Sequence, residues 1–135
     1  MYKKILVPMA LDHGVSPVTL DIARRLASQG AEIIALHVYE APQGSVAAYL
    51  DEEVVKAGFD RAQKNLDQKL ADQGDVRAVL IKGHSARGIL DFADAEKADC
   101  IVMGSHKPGL SDFFLGSTAA RVVRHASCAV HVHRA

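Results

Sequence analysis

Short apolar runs alternate along the chain with longer segments whose apolar residues recur at helical spacing, the pattern of a parallel sheet covered by helices. Ile5, Leu6 and Val7 form a first buried strand that stops at Pro8. Ser16 followed by Pro17 reads as a helix N-cap with proline at the first helical position. That helix is expected to run to about Gln29, with Leu20, Ala23, Leu26 and Ala27 on its apolar face, Asp21, Arg24 and Arg25 on its wet face, and Gly30 as its end. Ala31 to Tyr39 is almost continuously apolar after Glu32, as in a strand buried on both faces, which predicts a central place in the sheet.

The stretch from Glu40 to Ala48 contains Pro42, Gln43, Gly44 and Ser45 and has no period. It predicts a loop of about 9 residues, longer than the usual 4 to 6. Val55, Phe59, Ala62, Leu66 and Leu70 then mark one stripe of the longest helix, ending near Gln73 and Gly74. A third strand is predicted over Val76 to Ile81. Ser85 opens a short helix carrying Ala86, Ile89, Leu90 and Ala93, and Asp99 leads into a fourth strand ending at Met103. After Gly116 and Ser117 a last helix with Ala120, Val122 and Val123 runs to His125, and Ala129 to His133 forms a final strand. No internal repeat or linker interrupts this order, so the fold class is α/β, a doubly wound sheet in a single domain over residues 1–135.

Composition narrows the function classes. A chain of 135 residues that is 49% hydrophobic can bury a core of its own. Sixteen basic residues balance sixteen acidic ones, so no overall field would hold a polyanion, and nucleic-acid binding is not expected. The opening MYKKILVPMAL is broken by Pro8 and lacks a small-residue cleavage site, and it reads as a strand, not a signal. No apolar run approaches the roughly 20 residues that cross a bilayer, so membrane insertion is not expected either. Cys100 and Cys128 have no CxxC spacing and suit reduced thiols, which makes the cytoplasm the expected location.

In open parallel sheets ligands sit beyond the carboxyl ends of the strands. Two loops qualify: Pro8-Met9-Ala10-Leu11-Asp12-His13-Gly14, and Gly104-Ser105-His106-Lys107-Pro108-Gly109, which runs on to Gly116-Ser117-Thr118. Gly104 and Gly109 would let backbone amides approach a ligand, and Gly116-Ser117-Thr118 stands at a helix start, where unpaired N–H groups and the helix dipole favour an anion. The Ser117 and Thr118 hydroxyls add donors, and Lys107 or His106 adds positive charge. Ordinary helix capping accounts for the same residues, and spacing leaves both readings open. The segment is not a Walker A loop, since no lysine follows the last glycine, nor a dinucleotide fingerprint, which would follow the first strand, where the chain has only Gly14.

The stretches MYKKILVPMA, LHV at residues 36–38 and MGSHKPGLSDFFLGSTAARVVRHASCAVHV resemble the universal stress protein family, and the resemblance covers essentially the whole chain. It implies a sheet of five parallel strands in the order 3-2-1-4-5 with four helices, like the adenine-nucleotide alpha-hydrolases, and a homodimer formed through the last strand. In one branch it also implies ATP bound across the ends of the first and fourth strands. That branch carries G-x2-G-x9-G followed by Ser or Thr. Gly104 matches the first glycine and Gly116-Ser117 the last pair, but Lys107 replaces the second glycine and the loop is one residue shorter, an arrangement similar to a subgroup with Ser-His-Lys/Arg-Pro. The branch also has an aspartate two residues after the first strand's proline, where this chain has Ala10; Asp12 replaces it only if the loop shifts.

Carried over residue by residue, the resemblance sets Pro8, Met9 and Ala10 against the base with Val38 beside them. Met103, Gly104, Gly116, Ser117 and Thr118 then line the ribose and phosphates, and Asp12, Ser105, His106, Lys107 and Gly109 complete the set. The implied ligand is ATP or AMP, with Mg as companion to the phosphates. The implied role is a regulatory module of the stress response acting on an unknown protein partner. Two other readings stay open: a nucleotide-free interaction or chaperone-like dimer, motivated by Ala10 and Lys107, and a weak ATPase or phosphotransferase using Lys107, His106 and Asp12. At most slow hydrolysis is expected, because no evident general base or water-positioning group accompanies the phosphate cradle.

His131 and His133 alternate with Val130 and Val132 and so share one face of the last strand. Two ligands do not make a metal site, and at a dimer seam these histidines would make pairing sensitive to pH. His37 reads as a hydrogen-bonded core residue, His84 and Ser85 as a capped helix entry, and both cysteines as packed thiols.

Overall fold

A computed structural model describes residues 1–11, 17–41, 52–105 and 115–134. Within them strands and helices alternate as the apolar runs predict: β1 (Tyr2–Pro8), α1 (Pro17–Leu26), β2 (Ala27–Tyr39), α2 (Glu52–Lys69), β3 (Val76–Lys82), α3 (Ser85–Glu96), β4 (Cys100–Ser105), α4 (Ser117–His125) and β5 (Ala129–Arg134). The strands form one parallel sheet in the order β3-β2-β1-β4-β5, the order that the family resemblance implies. Ser16 and the loop predicted beyond Ala41 lie outside the described residues.

Successive side chains of a strand point to opposite faces, and both faces here are apolar. Ile5, Val7, Ile33, Ala35, Cys100 and Val102 pack with Leu20 and Ala23 of α1 and Leu66 of α2. On the other face Leu6, Ile34, Leu36, Ile101 and Met103 pack with Ile89 and Ala93 of α3 and with Ala119 and Val122 of α4. α1 and α2 therefore cover one face, and α3 and α4 the other. Among the described residues β5 pairs with β4 alone and forms one edge of the sheet.

α1 ends at Leu26, short of the expected Gln29, because sheet pairing takes the residues that helical period would have claimed. Tyr2 pairs with Ala27 but Lys4 pairs with Glu32, so β2 bulges opposite Lys3. Gly30 lies in that bulge at φ 78°, a left-handed conformation that glycine adopts without steric cost.

The amino end of the sheet is closed by polar contacts. Lys4 and Arg77 each reach both Glu32 and Glu96. Asp99 accepts the Lys3 N–H at 2.8 Å and the Lys4 N–H at 3.0 Å, while its own N–H donates to the Lys4 carbonyl at 3.0 Å. Burial pushes the Asp99 carboxyl up, but the Lys3 and Lys4 N–H groups together outweigh it and hold it below the usual aspartate value. A lowered folded value means stability that is present above the ordinary pKa of about 3.9 and lost as pH falls through the folded value. Asp99→Ala is therefore expected to cost about 1–3 kcal/mol at pH 7. In urea titrations the gap between variant and parent should close toward acid; a gap independent of pH would contradict the clamp.

Both cysteines are free thiols. Burial, with the nearby Cys128 thiol and Asp99 carboxylate adding to it, pushes Cys100 up to about 11, and burial also raises Cys128. The thiolate is the reactive form. Ellman's reagent at pH 8 is expected to titrate Cys100 only after denaturation; rapid labelling of native Cys100 would contradict this packing.

Candidate functional site at the carboxyl ends of the strands

A cleft of about 1270 Å³ opens where β1, β2 and β4 end. β1 stops at Pro8, which has no N–H to donate, and the chain leaves the sheet there. Met9 is held on two sides: its N–H donates to the Leu36 carbonyl at 2.8 Å, and His37 Nδ1 lies 2.7 Å from its carbonyl oxygen. A carbonyl can only accept, so this contact requires the Nδ1–H form of His37. Met9 is buried, while Ala10 stands exposed at the cleft. Lys69 Nζ donates to the Leu11 carbonyl, tying the end of α2 to the same turn.

The opposite wall is built from β4 and α4. Ser105 Oγ accepts the Gly116 N–H at 3.1 Å and fixes the start of α4 against the end of β4. Gly116 is the N-cap of α4 and provides no side-chain cap, so the first amides of the helix keep donor capacity toward the cleft. A Cβ built on Gly104 would meet nothing within 4 Å, which leaves open space beside the strand end.

β2 and α3 contribute the third wall. Glu40 Oε1 accepts the Ser85 N–H at 2.7 Å, and that bond holds the Glu40 carboxyl below the usual range. The cap of α3 therefore comes from Glu40 beside it on the same wall, since His84 occupies the N-cap position without a side-chain cap. A Cβ on Gly88 would lie 3.1 Å from both Val38 methyls, so α3 packs directly on β2 and brings Ile89 to the cleft beside Val38. A recess of about 310 Å³ beside the main cleft is lined by Glu40, His84, Ser85, Ser117, Thr118 and Arg121.

Ten of the residues singled out in the sequence meet here: Pro8, Met9, Ala10, Val38, Met103, Gly104, Ser105, Gly116, Ser117 and Thr118. Asp12, His106, Lys107 and Gly109 lie outside the described residues. Sequence reasoning missed His37 and Glu40 at the cleft, His133 at the end of β5, and a polar wall on α2 formed by Arg61, Lys64, Asn65 and Gln68. His37 is hydrogen-bonded as expected, with the Met9 carbonyl as its partner, but it is half-buried at the cleft and does not belong to the core.

The model of the universal stress protein family matches residues 1–134. The chain belongs to that family. Among universal stress proteins, it is 35% identical over 134 residues to the Thermus aquaticus protein named for the QAH/OAS sulfhydrylase 3′ region, covering 96% of this chain and 97% of that one. A relative from Methanothermobacter thermautotrophicus is 31% identical over 144 residues, covering 99% and 97%. The solved structure of the hypothetical protein MJ0577 superposes with a TM-score of 0.77 at 27% identity, covering 100% of this chain and 97% of that one. Two more distant structures share the fold: a universal stress protein in complex with cAMP (TM-score 0.59, 22% identity, covering 98% and 97%) and one from Archaeoglobus fulgidus in complex with dAMP (0.57, 20%, 97% and 97%).

Proposed function

We propose that the cleft binds an adenine nucleotide, ATP or AMP, and that the chain is a nucleotide-binding regulatory module of the stress response. The observation that carries this reading is the convergence of three strand ends and the start of α4 on one cleft. Met9, Val38 and Met103 give an apolar surface suited to a base, with Pro8 and Ala10 at its rim. Gly104 leaves room for a ribose, and the α4 amides with the Ser117 and Thr118 hydroxyls offer donors to a phosphate. The cAMP and dAMP bound by two structural neighbours support the ligand class. Lys107 and Mg would neutralise a longer phosphate chain, and Asp12, His106 and Gly109 complete the proposed site. The module would work in the cytoplasm as a homodimer paired through β5, whose outer edge is unpaired in the sheet, and would present a nucleotide-dependent surface to a protein partner.

A nucleotide-free interaction protein is the second reading, favoured by Ala10 standing exposed at the cleft where the nucleotide-binding branch carries aspartate. A thermal-shift titration separates the two. Ligand at 100 times Kd stabilises by about 2.7 kcal/mol, which for a chain of this size raises Tm by about 6–15 °C. A Tm that climbs with ATP or AMP supports the nucleotide module; a Tm that stays flat to millimolar nucleotide overturns it.

A further inference from the structure

The last strand carries two imidazoles that the fold leaves unengaged. His131 and His133 pair with Val102 and Gly104 of β4, and parallel neighbours in register point to the same face, so both stand on the face covered by α1 and α2. α1 packs on β1, β2 and β4, and α2 on β2 and β3, which leaves His131 exposed and His133 half-buried beside Gly104. Neither imidazole has a hydrogen-bond or ion-pair partner among the described residues. Val130 and Val132 point to the other face, against the part of the core that holds Ala119 and Val122 of α4. Val123 is 46% exposed and lies roughly on the far side of α4 from Arg121, which lines the recess shared with α3, so it looks toward the outer edge of the sheet. The edge formed by β5 therefore has apolar side chains on one face and two free imidazoles on the other.

We propose that His131 and His133 are half of a zinc site, completed by a second copy of the chain where two β5 strands pair antiparallel. This inference rests on the homodimer reading and deepens it by naming an ion that ties the pair together. Among the described residues of one chain, no group of three or more His, Cys, Asp or Glu side chains is placed to hold a metal. Symmetry supplies the missing ligands. A two-fold axis between antiparallel copies of one strand runs perpendicular to the sheet, so each face of one copy continues as the same face of the other. Side chains directly opposite one another share a face, so odd-numbered residues meet odd-numbered ones. With Val132 opposite its own copy, nearly all of β5 is paired and His131 faces His133 of the partner subunit, while His133 faces the partner's His131. Residues i and i+2 of a strand lie about 6.7 Å apart and opposite Cβ atoms about 5 Å apart, so all four Cβ atoms stand roughly 4 Å from one centre. Imidazole nitrogens converge above that centre, and zinc takes four such ligands in a tetrahedron at about 2.0–2.1 Å. Arg134 alternates to the other face with Val130 and Val132 and brings no positive charge among them.

The test is sedimentation equilibrium of the parent and of His131→Gln/His133→Gln, each with EDTA and with zinc chloride and without nucleotide. Bound zinc is counted after equilibrium dialysis, and circular dichroism and Tm are recorded for both proteins. Neither imidazole is buried in the core, so the variant should fold. The parent is expected to hold one zinc per two chains, and zinc at ten times its Kd should tighten pairing about tenfold. Imidazole ligates in its neutral form, so the zinc effect should fade as pH drops below about 6.5. The variant should pair equally in EDTA and in zinc and should lose the ion counted in the parent. A parent dimer that holds no zinc and is indifferent to EDTA overturns the metal site while leaving β5 pairing in place. Zinc bound at one or more per chain with no effect on pairing, or a zinc effect that survives in the variant, overturns it as well. A parent that stays monomeric at every concentration, with and without zinc, overturns both the site and the homodimer.

Discussion

Gly104→Asp is expected to reduce nucleotide affinity at least about 100-fold while leaving the fold in place. Gly104 ends the buried part of β4 and faces open space, with no heavy atom within 4 Å of a Cβ built there. Its φ is not in the left-handed range, so a side chain brings no backbone strain. The carboxylate would stand in the cleft between the end of β4 and the α4 amides, where the phosphate is expected. A like charge forced against an anionic ligand costs several kcal/mol, and each 1.4 kcal/mol is about a factor of ten in affinity. Gly104→Ala supplies the control: it adds bulk without charge and should cost far less affinity. Calorimetry gives the affinities and thermal melts check that both variants remain folded. Parent-like binding by the aspartate variant would remove this strand end from the nucleotide site.

The largest effect on stability is expected at Leu66. It is the one fully buried side chain of α2, at 0% exposure, and it inserts among Ile5, Val7, Ile33 and Ala35 on the sheet face shared with α1. Leu66→Ala removes apolar atoms from a packed core and leaves a cavity, a change that costs about 2–5 kcal/mol. For a chain of this length that corresponds to a fall in Tm of about 6–20 °C. The upper part of the range is expected, because α2 has no second fully buried anchor to hold it while the site collapses. Urea denaturation of parent and variant measures the difference. A loss below about 1 kcal/mol would mean that α2 does not dock through Leu66, and the polar wall it carries at the cleft would lose its fixed position.

Most of the fold was legible because local signals and tertiary structure agree. The apolar runs at residues 5–7 and 100–103 became the buried strands β1 and β4, and Ser85 and Ser117 open α3 and α4 where the helical period begins. The end of α1 was not legible. Ala23, Leu26 and Ala27 continue a helical face, but the pairing of Ala27 with Tyr2 ends the helix, and a partner 25 positions away leaves no local mark. The helical stripe of α2 is likewise longer in sequence than in the fold: the helix ends at Lys69, and Gln73 closes a turn onto Leu70 instead.

The candidate site divides along the same line. Glycines and hydroxyls beside strand ends mark the β4–α4 side in sequence. Arg61, Lys64, Asn65 and Gln68 carry no such mark, since a polar stripe beside an apolar one is what any solvated helix face shows. Their place at the cleft depends on which sheet face receives α2 and how far along it the helix sits. The partners of His37 and Glu40 were hidden for a related reason. Each is a contact made from the carboxyl end of β2 or the residue just beyond it to another element, the turn after β1 for His37 and the start of α3 for Glu40, and each requires the assembled sheet. His133 is brought to the cleft by the pairing of β5 with β4, in which it sits opposite Gly104.

Amide chemical-shift mapping of the folded protein during titration with ATP asks directly whether adenine nucleotide occupies this cleft. Saturable shifts centred on Met9, Val38, Gly104, Gly116 and Ser117 are the expected result. A spectrum unchanged at millimolar ATP, or shifts centred on the amino end of the sheet around Lys4, Glu32 and Glu96, would contradict nucleotide binding at this site.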